Sequence, residues 1–280
     1  MMCVSTGVLY ICPTPIGNLE DITLRVLRIL KEVDFIACED TRVTQKLLNY
    51  YNIKVKLISY HKFSEKQKSE YLINLLKEGK NIALVSDAGT PLISDPGLEL
   101  VKLAHAGNIK IVPLPGASAA MTAISAGCLE GSHFVFLGFL PSSKREKEDL
   151  LEKYKDINII VYEAPSRFVE TLQEIHDAIG NRTATVAREL TKIYEEIKID
   201  CLKNHIDYYR NHPPRGEITL VIKGEQASRG TVDEAEVSEK IRILKRAGYS
   251  TKEISKILAL LMEFPKKQIY ELVLKQDKNV

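Results

Sequence analysis

The sequence predicts two α/β domains followed by a C-terminal helical extension. Three observations carry this expectation. Short β-branched runs alternate with helical stretches through the first half, which implies βα units on a mostly parallel sheet. A polar, turn-rich segment, Pro141-Ser142-Ser143-Lys144-Arg145-Glu146, then interrupts the alternation. From about Glu225 the strand signals stop and helical periodicity takes over. A chain of 280 residues is about twice the usual single-domain size. The expected boundaries are 1–140, 141–224 and 225–280.

The elements follow in order. Val8 to Ile11 reads as a strand, Ile22 to Lys31 as a helix with Leu24, Leu27, Ile29 and Leu30 apolar, and Asp34 to Cys38 as the next strand. A helix over Thr41 to Tyr51 and a strand over Val55 to Tyr60 come next. Ser64 with Gln67 three residues on forms a capping-box pattern, and Gly79 ends the helix it opens. Asn81 to Ser86 is a strand, and Asp95-Pro96 reads as a helix cap followed by a first-turn proline. Ile109 to Val112 is a strand, Ala117 to Ala126 a helix of small side chains, and His133 to Phe136 an aromatic strand that closes the first domain.

The second domain is expected to contain strands at Ile157 to Tyr162, Thr183 to Arg188, Glu195 to Asp200 and Glu217 to Lys223, with a helix from Ser166 to Ile179 ended by Gly180. In the extension, Val237 to Ala247 is helical and Gly248 ends it. Ser250 with Glu253 is a second capping box, and Pro265 starts a helix with Ile269, Leu272 and Val273 on one face. Three short helices joined by tight turns are similar to a helix-turn-helix unit, and a packing appendage explains them equally well.

Composition narrows the classes. A hydrophobic share of 45% with 27% charged residues is that of a soluble globular chain. No apolar run reaches the roughly 18 residues that span a bilayer, and the start lacks the basic flank of a signal peptide, so a cytoplasmic protein without membrane attachment is expected. Five scattered cysteines without a C-x-x-C pair exclude a disulfide framework and a structural zinc, and no metal is expected. The 39 basic and 37 acidic residues nearly cancel, so any basic binding face must be local. G-x-S-x-G, H-E-x-x-H and Walker A patterns are all absent, which disfavours serine hydrolase, zincin and P-loop chemistry.

Ligands of open α/β sheets bind at the carboxyl ends of strands, so the loops after strands are the ones to inspect. Pro13 to Asp21 is long and stiffened by two prolines, with Gly17 permitting close backbone approach. Ser86 to Gly97 is rich in hydroxyls and carboxylates; Asp95 is explained as a cap, whereas Asp87 stands at the strand rim, where a carboxylate can accept hydrogen bonds from a ligand. Pro113 to Ala120 leads into the small-residue helix, which suits either a flat ligand or close helix–sheet packing. Glu163, Arg167, Arg188, Glu189 and Lys192 follow two strands of the second domain and suggest a polar cleft wall. Arg25, Arg28, Arg42 and Lys46 fall on or beside the first two helices, as phosphate contacts or as a solvated face.

The runs TPIGNLEDITLR (14–25), EDTRVTQKLL (39–48), LISYHKFSE (57–65), LVSDAGTPLISDPG (84–97), PLPGASA (113–119), YEAPSR (162–167) and VARELTK (186–192) occur in order. Together they closely resemble the bacterial small-subunit ribosomal RNA 2′-O-methyltransferases of the tetrapyrrole methylase superfamily, and the C-terminal helices resemble that family's extension. The resemblance implies two class III methyltransferase-type α/β domains with S-adenosylmethionine in the cleft between them, a homodimer, and methylation of the ribose 2′-hydroxyl of a cytidine in the decoding region. The acceptor would be ribosomal RNA or the assembled small subunit.

By the same resemblance the donor would touch Pro15, Ile16 and Gly17, then Ser86, Asp87, Ala88, Gly89 and Ile93, with Ser118, Ala119, Tyr162, Ala187 and Ile218 completing its pocket. Glu163, Arg167, Arg188, Glu189 and Lys192 would line the acceptor side, the arginines holding phosphate and a carboxylate or a lysine of lowered pKa taking the proton. Relatives acting on tetrapyrroles carry G-x-G-x-G-D and G-D-P where this chain has TPIGNLED and SDAGTP, which favours RNA as acceptor. This chain also has Ser166 where the family commonly has His, and Ala117 where it commonly has Pro. A small-molecule methyltransferase of the same fold and a non-catalytic RNA-binding protein are the alternatives.

Overall fold

A computed structural model describes residues 6–62, 65–127, 133–225, 234–261 and 266–277. The chain forms two compact units, Met1–Gly224 and Glu225–Val280.

The first unit holds two five-stranded sheets. One contains β1 (Val8–Ile11), β2 (Phe35–Cys38), β3 (Lys56–Ser59), β4 (Ile82–Val85) and β5 (Lys110–Pro113) in the order β3-β2-β4-β1-β5. Every pairing in it is parallel. Helices α1 (Leu24–Glu32), α2 (Thr41–Tyr50), α3 (Glu65–Lys77) and α4 (Leu98–Ala106) make the crossovers and cover both faces. Thr23 Oγ1 accepts from Val26 N at 3.1 Å to start α1, and its spacing buries Val26, Ile29 and Leu30. Asp40 starts α2 in the same way, accepting from Arg42 N at 2.8 Å.

The other sheet has β6 (Phe134–Phe139), β7 (Asn158–Glu163), β8 (Thr183–Arg188), β9 (Glu196–Cys201) and β10 (Ile218–Ile222) in the order β6-β7-β10-β8-β9. Only β6 and β7 run parallel; the other three pairings are antiparallel. Helices α6 (Lys144–Tyr154), α7 (Phe168–Ile179) and α8 (Leu202–Asn211) cover one face around Phe168, Leu172, Ile206 and Tyr209. The opposite face receives α5 (Ala119–Ala126), whose Ala120 and Ala123 pack on Ile160 and Val221. Small side chains at this point therefore serve close helix–sheet contact.

Two expectations are corrected. The aromatic strand β6 belongs to the second sheet, so that sheet begins upstream of the polar segment 141–146; the segment is only the turn after β6 and the first turn of α6, capped by Ser143 Oγ accepting from Glu146 N. Asp95 caps no helix. α4 begins at Leu98, and its first amides, Gly97 N and Glu99 N, donate to Glu65 Oε1 at 2.9 and 3.2 Å. The carboxylate of Asp95 is thereby left for the cleft. Ser64 and Pro265, read as helix starts, lie outside the described residues.

His205 of α8 is 2% exposed and its Nε2 sits 3.0 Å from Ala184 O. Burial holds the imidazole below its ordinary pKa, against the opposing pull of the carbonyl. The unfolded chain therefore binds a proton near pH 6.5 that the folded chain refuses, and stability falls as pH drops below that value. A His205→Gln variant keeps a donor for Ala184 O, and its thermal midpoint should fall less between pH 7.5 and 5.5 than that of the parent. Equal falls would remove His205 as the cause.

The second unit consists of α9 (Glu234–Arg246), α10 (Thr251–Leu261) and α11 (Lys266–Asp277) around Val237, Ile241, Ile254, Leu258, Ile269 and Val273. Its capping box is formed: Ser250 Oγ donates to Glu253 Oε2 at 2.6 Å, and Glu253 N donates back to Ser250 Oγ at 3.4 Å.

Candidate active site

Parallel pairing places the ends of β1, β2, β4 and β5 along one rim of the first sheet. The first two of the loops inspected above are tied together there: Thr14 and Gly89 exchange backbone hydrogen bonds at 2.9 and 3.0 Å, and Thr14 Oγ1 donates to Ser86 O at 3.0 Å. Gly89, at φ +81°, supplies the left-handed turn that makes this possible. Facing them are the end of β7, the residues before β10, and the loop after β8, where Glu189 and Thr191 hold positive φ of 52° and 66°. Asn18 N donates to Thr191 Oγ1 at 3.0 Å, and Gly17 lies so close to Lys192 that no side chain fits between them.

Two adjoining cavities occupy this cleft. The first, of ≈ 440 Å³, is lined by Ile16, Asp87, Ala88, Gly89, Thr90, Ile93, Ser94, Asp95, Ser118, Ala119, Phe139, Tyr162, Glu163, Ala164, Pro165 and Gly216 to Thr219. The second, of ≈ 340 Å³, is lined by Thr14, Pro15, Ile16, Gly17, Leu19, Val43, Thr44, Lys46, Leu47, Ser86, Asp87, Ala88, Lys192 and Glu217. Ile16, Asp87, Ala88 and Glu217 border both.

Most of the residues that the sequence assigned to a donor thus meet at the first cavity, whereas Pro15, Gly17 and Ser86 face the second. Ala187 borders neither; it is 1% exposed in the hydrophobic layer beneath, with Ile16, Ala120 and Leu190. Thr90, Asp95, Phe139 and Glu217 were not picked out. Phe139 escaped because the aromatic strand was expected to end at Phe136 and to close the first domain, and Asp95 because a capping role already explained it.

The five polar residues assigned to the acceptor side separate. Glu163 reaches the first cavity but is almost fully buried, and its carboxylate is engaged: Oε1 accepts from Arg167 Nη2 at 2.8 Å and Ala164 N at 2.7 Å, Oε2 from Thr171 Oγ1 at 2.7 Å. Arg167 borders neither cavity. Nor does Arg188, which donates to Glu196 Oε2 and Arg215 O, both at 3.2 Å. Glu189 also lies outside both and accepts from Lys192 Nζ at 2.7 Å. Lys192 borders the second cavity, and the expectation of a lowered pKa there is overturned. Burial pulls its ammonium down, but hydrogen bonds to Glu189 and to Glu217 at 3.0 Å outweigh burial and hold it above the ordinary lysine value. These partners favour its protonated form.

The cleft is acidic on the side of the first sheet. Burial raises the carboxyls of Asp87, Asp95 and Glu39, and repulsion adds to the effect, from Asp40 on Asp87, from Asp87 on Asp95 and from all three aspartates on Glu39. An anionic, half-enclosed chamber of this kind favours a cationic ligand. Of the basic residues on the first helices, Arg28 pairs with Glu32 and Arg42 with Asp40, while Lys46 makes no ion pair among the described residues and borders the second cavity.

Comparison with known proteins decides the family. The sequence matches the family described as Tetrapyrrole (Corrin/Porphyrin) Methylases over residues 8–204. The chain belongs to the tetrapyrrole methylases. Within that family it is similar to the ribosomal RNA small subunit methyltransferase I of Bacillus subtilis, 43% identical over 274 residues that make up 95% of this chain and 93% of that one. The protein of the same name from Halalkalibacterium halodurans is 42% identical over 95% of this chain and 94% of its own. That of Thermotoga maritima is 43% identical over 221 residues, 79% of this chain and the whole of its own. Among solved structures the methyltransferase CobJ aligns with a TM-score of 0.61 at 18% identity, covering 78% of this chain and 95% of that one. This tetrapyrrole methylase is accordingly a methyltransferase with the family's two-sheet fold.

Proposed function

We infer that the chain transfers a methyl group from S-adenosylmethionine to the 2′-hydroxyl of a cytidine in the decoding region of small-subunit ribosomal RNA, acting in the cytoplasm as a homodimer. The observation that carries the reading is the pair of cavities with a common wall, which gives a donor and an acceptor separate chambers that meet. Bound there, the donor supplies an electrophilic methyl carbon on a positively charged sulfur.

The first cavity suits it. Its volume lies within the roughly 300–1,000 Å³ of small-molecule sites. Ile16, Ile93, Phe139 and Ile218 offer apolar faces to a flat heterocycle, and the Thr90 and Ser118 hydroxyls stand among them. Asp95 provides negative charge for a sulfonium or an ammonium. The names of the relatives supply the acceptor class.

Purified protein, labelled S-adenosylmethionine and small subunits lacking the modification test the reading, with alkaline digestion of the RNA. Label in an alkali-resistant dinucleotide is the expected result, because a 2′-O-methyl group blocks cleavage at its own phosphodiester. Label in a mononucleotide would mean base methylation, and label confined to added small molecules would mean another acceptor. In the same assay Lys46→Ala should weaken RNA binding and reduce the slope of log K against log salt by about 0.7, the loss of one phosphate contact on a single strand. An unchanged slope would make Lys46 a surface charge.

A further inference from the structure

A ribose hydroxyl that takes a methyl group must lose its proton. Resting on the methyltransferase reading above, we propose that the second cavity receives the acceptor nucleoside and that Asp87, in the wall between the cavities, takes that proton. Among the described residues four border both chambers, and two of them, Ile16 and Ala88, are apolar. Of the two carboxylates, Glu217 is largely exposed at its side chain and already occupied by the Lys192 ammonium at 3.0 Å. Asp87 is half-buried and oriented by a single backbone contact, Asp40 N donating to its Oδ1 at 3.0 Å. Among the described residues its Oδ2 carries no hydrogen bond and is left for the acceptor hydroxyl.

The surroundings favour a base at this point. Glu39 and Asp40 approach Asp87 from the β2–α2 junction with Arg42 beside them, and Asp95 faces it from its own loop. Lys46 of α2 and, from the second sheet, Lys192 and Glu217 share the second cavity with it. Burial together with the repulsion of Asp40 outweighs the Asp40 amide and Arg42, so the carboxyl lies above the ordinary aspartate range. Lys192, which shares the second cavity, is held protonated. In the step itself the ribose oxygen gains the bond to the methyl carbon as the carbon–sulfur bond breaks. That bond's electron pair stays on sulfur and cancels its positive charge, and the hydroxyl proton ends on Asp87 Oδ2, to leave later to water.

The test uses the full chain with Asp87→Asn, which keeps an oxygen for the Asp40 amide. Three quantities are read: turnover against pH, the donor's dissociation constant by calorimetry, and that of RNA by filter binding. Turnover should fall 10²- to 10⁴-fold, the acid limb of the profile should vanish, and both dissociation constants should stay within about threefold. Asp87→Glu should retain an acid limb, and so should Glu217→Gln.

A fall in donor affinity matching the fall in kcat/KM would make Asp87 a donor ligand and overturn the assignment. Turnover within tenfold of the parent with the acid limb intact, or an acid limb lost in Glu217→Gln instead, would overturn it as well. Should the parent protein label no ribose at all, the methylation reading fails; should the parent and Asp87→Asn label ribose equally, only the role of Asp87 fails.

Discussion

Replacing Gly17 with alanine is expected to lower turnover about 100-fold. A Cβ there would stand 2.5 Å from Lys192 Cγ, 2.7 Å from Thr191 Oγ1 and 2.9 Å from Leu190 O. The first of these can swing aside, but the third is backbone in a loop whose neighbours already hold left-handed conformations. Relief must therefore come from a shift of the Pro13 to Asp21 loop, which carries Ile16 in the wall between the cavities. A displacement of about 1 Å is enough to misalign an in-line transfer by the stated factor. Of the hydrophobic layers only Ile16 is disturbed, so the thermal midpoint should move only a few degrees. Turnover within threefold of the parent would show that the two loops have room to part.

Glu163→Ala is expected to destabilise the fold by about 3 kcal/mol, which for a chain of this size lowers the thermal midpoint by roughly 6–12 °C. The carboxylate is 3% exposed as a residue and satisfies the Thr171 hydroxyl, the Ala164 amide and Arg167 at once. Its removal strands two polar groups, one of them in the interior. Arg167→Ala should cost less, because the guanidinium is 40% exposed and water replaces its partner. Calorimetric melts of both variants check the order. If Arg167→Ala proves the more destabilising, the burial argument is wrong.

The same pair of residues shows where sequence reasoning stops. YEAPSR displays a glutamate and an arginine just past a strand, and both catalysis and structure use that arrangement. Only the three-dimensional contact with Thr171, eight residues on, reveals that the carboxylate is spent. By contrast the βα alternation, the capping box of Ser250 and Glu253 and the strand-end loops were legible, because each rests on local periodicity or on a fixed offset between neighbours. Gly17 was legible as a point of close approach, though not what approaches it. Strand β6 was assigned to the wrong sheet because an aromatic strand looks the same whichever partner it pairs with. Asp95 was misread for a related reason: its local rule was satisfied, while the amides at the start of α4 were being capped from Glu65, 32 residues away from Gly97.

The hydrophobic layer formed by Ile16, Ala120, Ala123, Ile160, Ala187, Leu190 and Val221 joins the loops and helix of one sheet to the strands of the other. With the bond from Asn18 to Thr191 it works as a weld across the floor of the cleft. Jaws welded at the base do not gape, so a base-paired helix cannot be admitted by spreading the sheets. On the reading proposed above the RNA does the moving: a strand unpairs and turns one nucleotide outward to reach the inner wall, at a cost of a few kcal/mol. Selection of the target thus begins in how readily the RNA itself opens at that nucleotide, before any side chain reads a base.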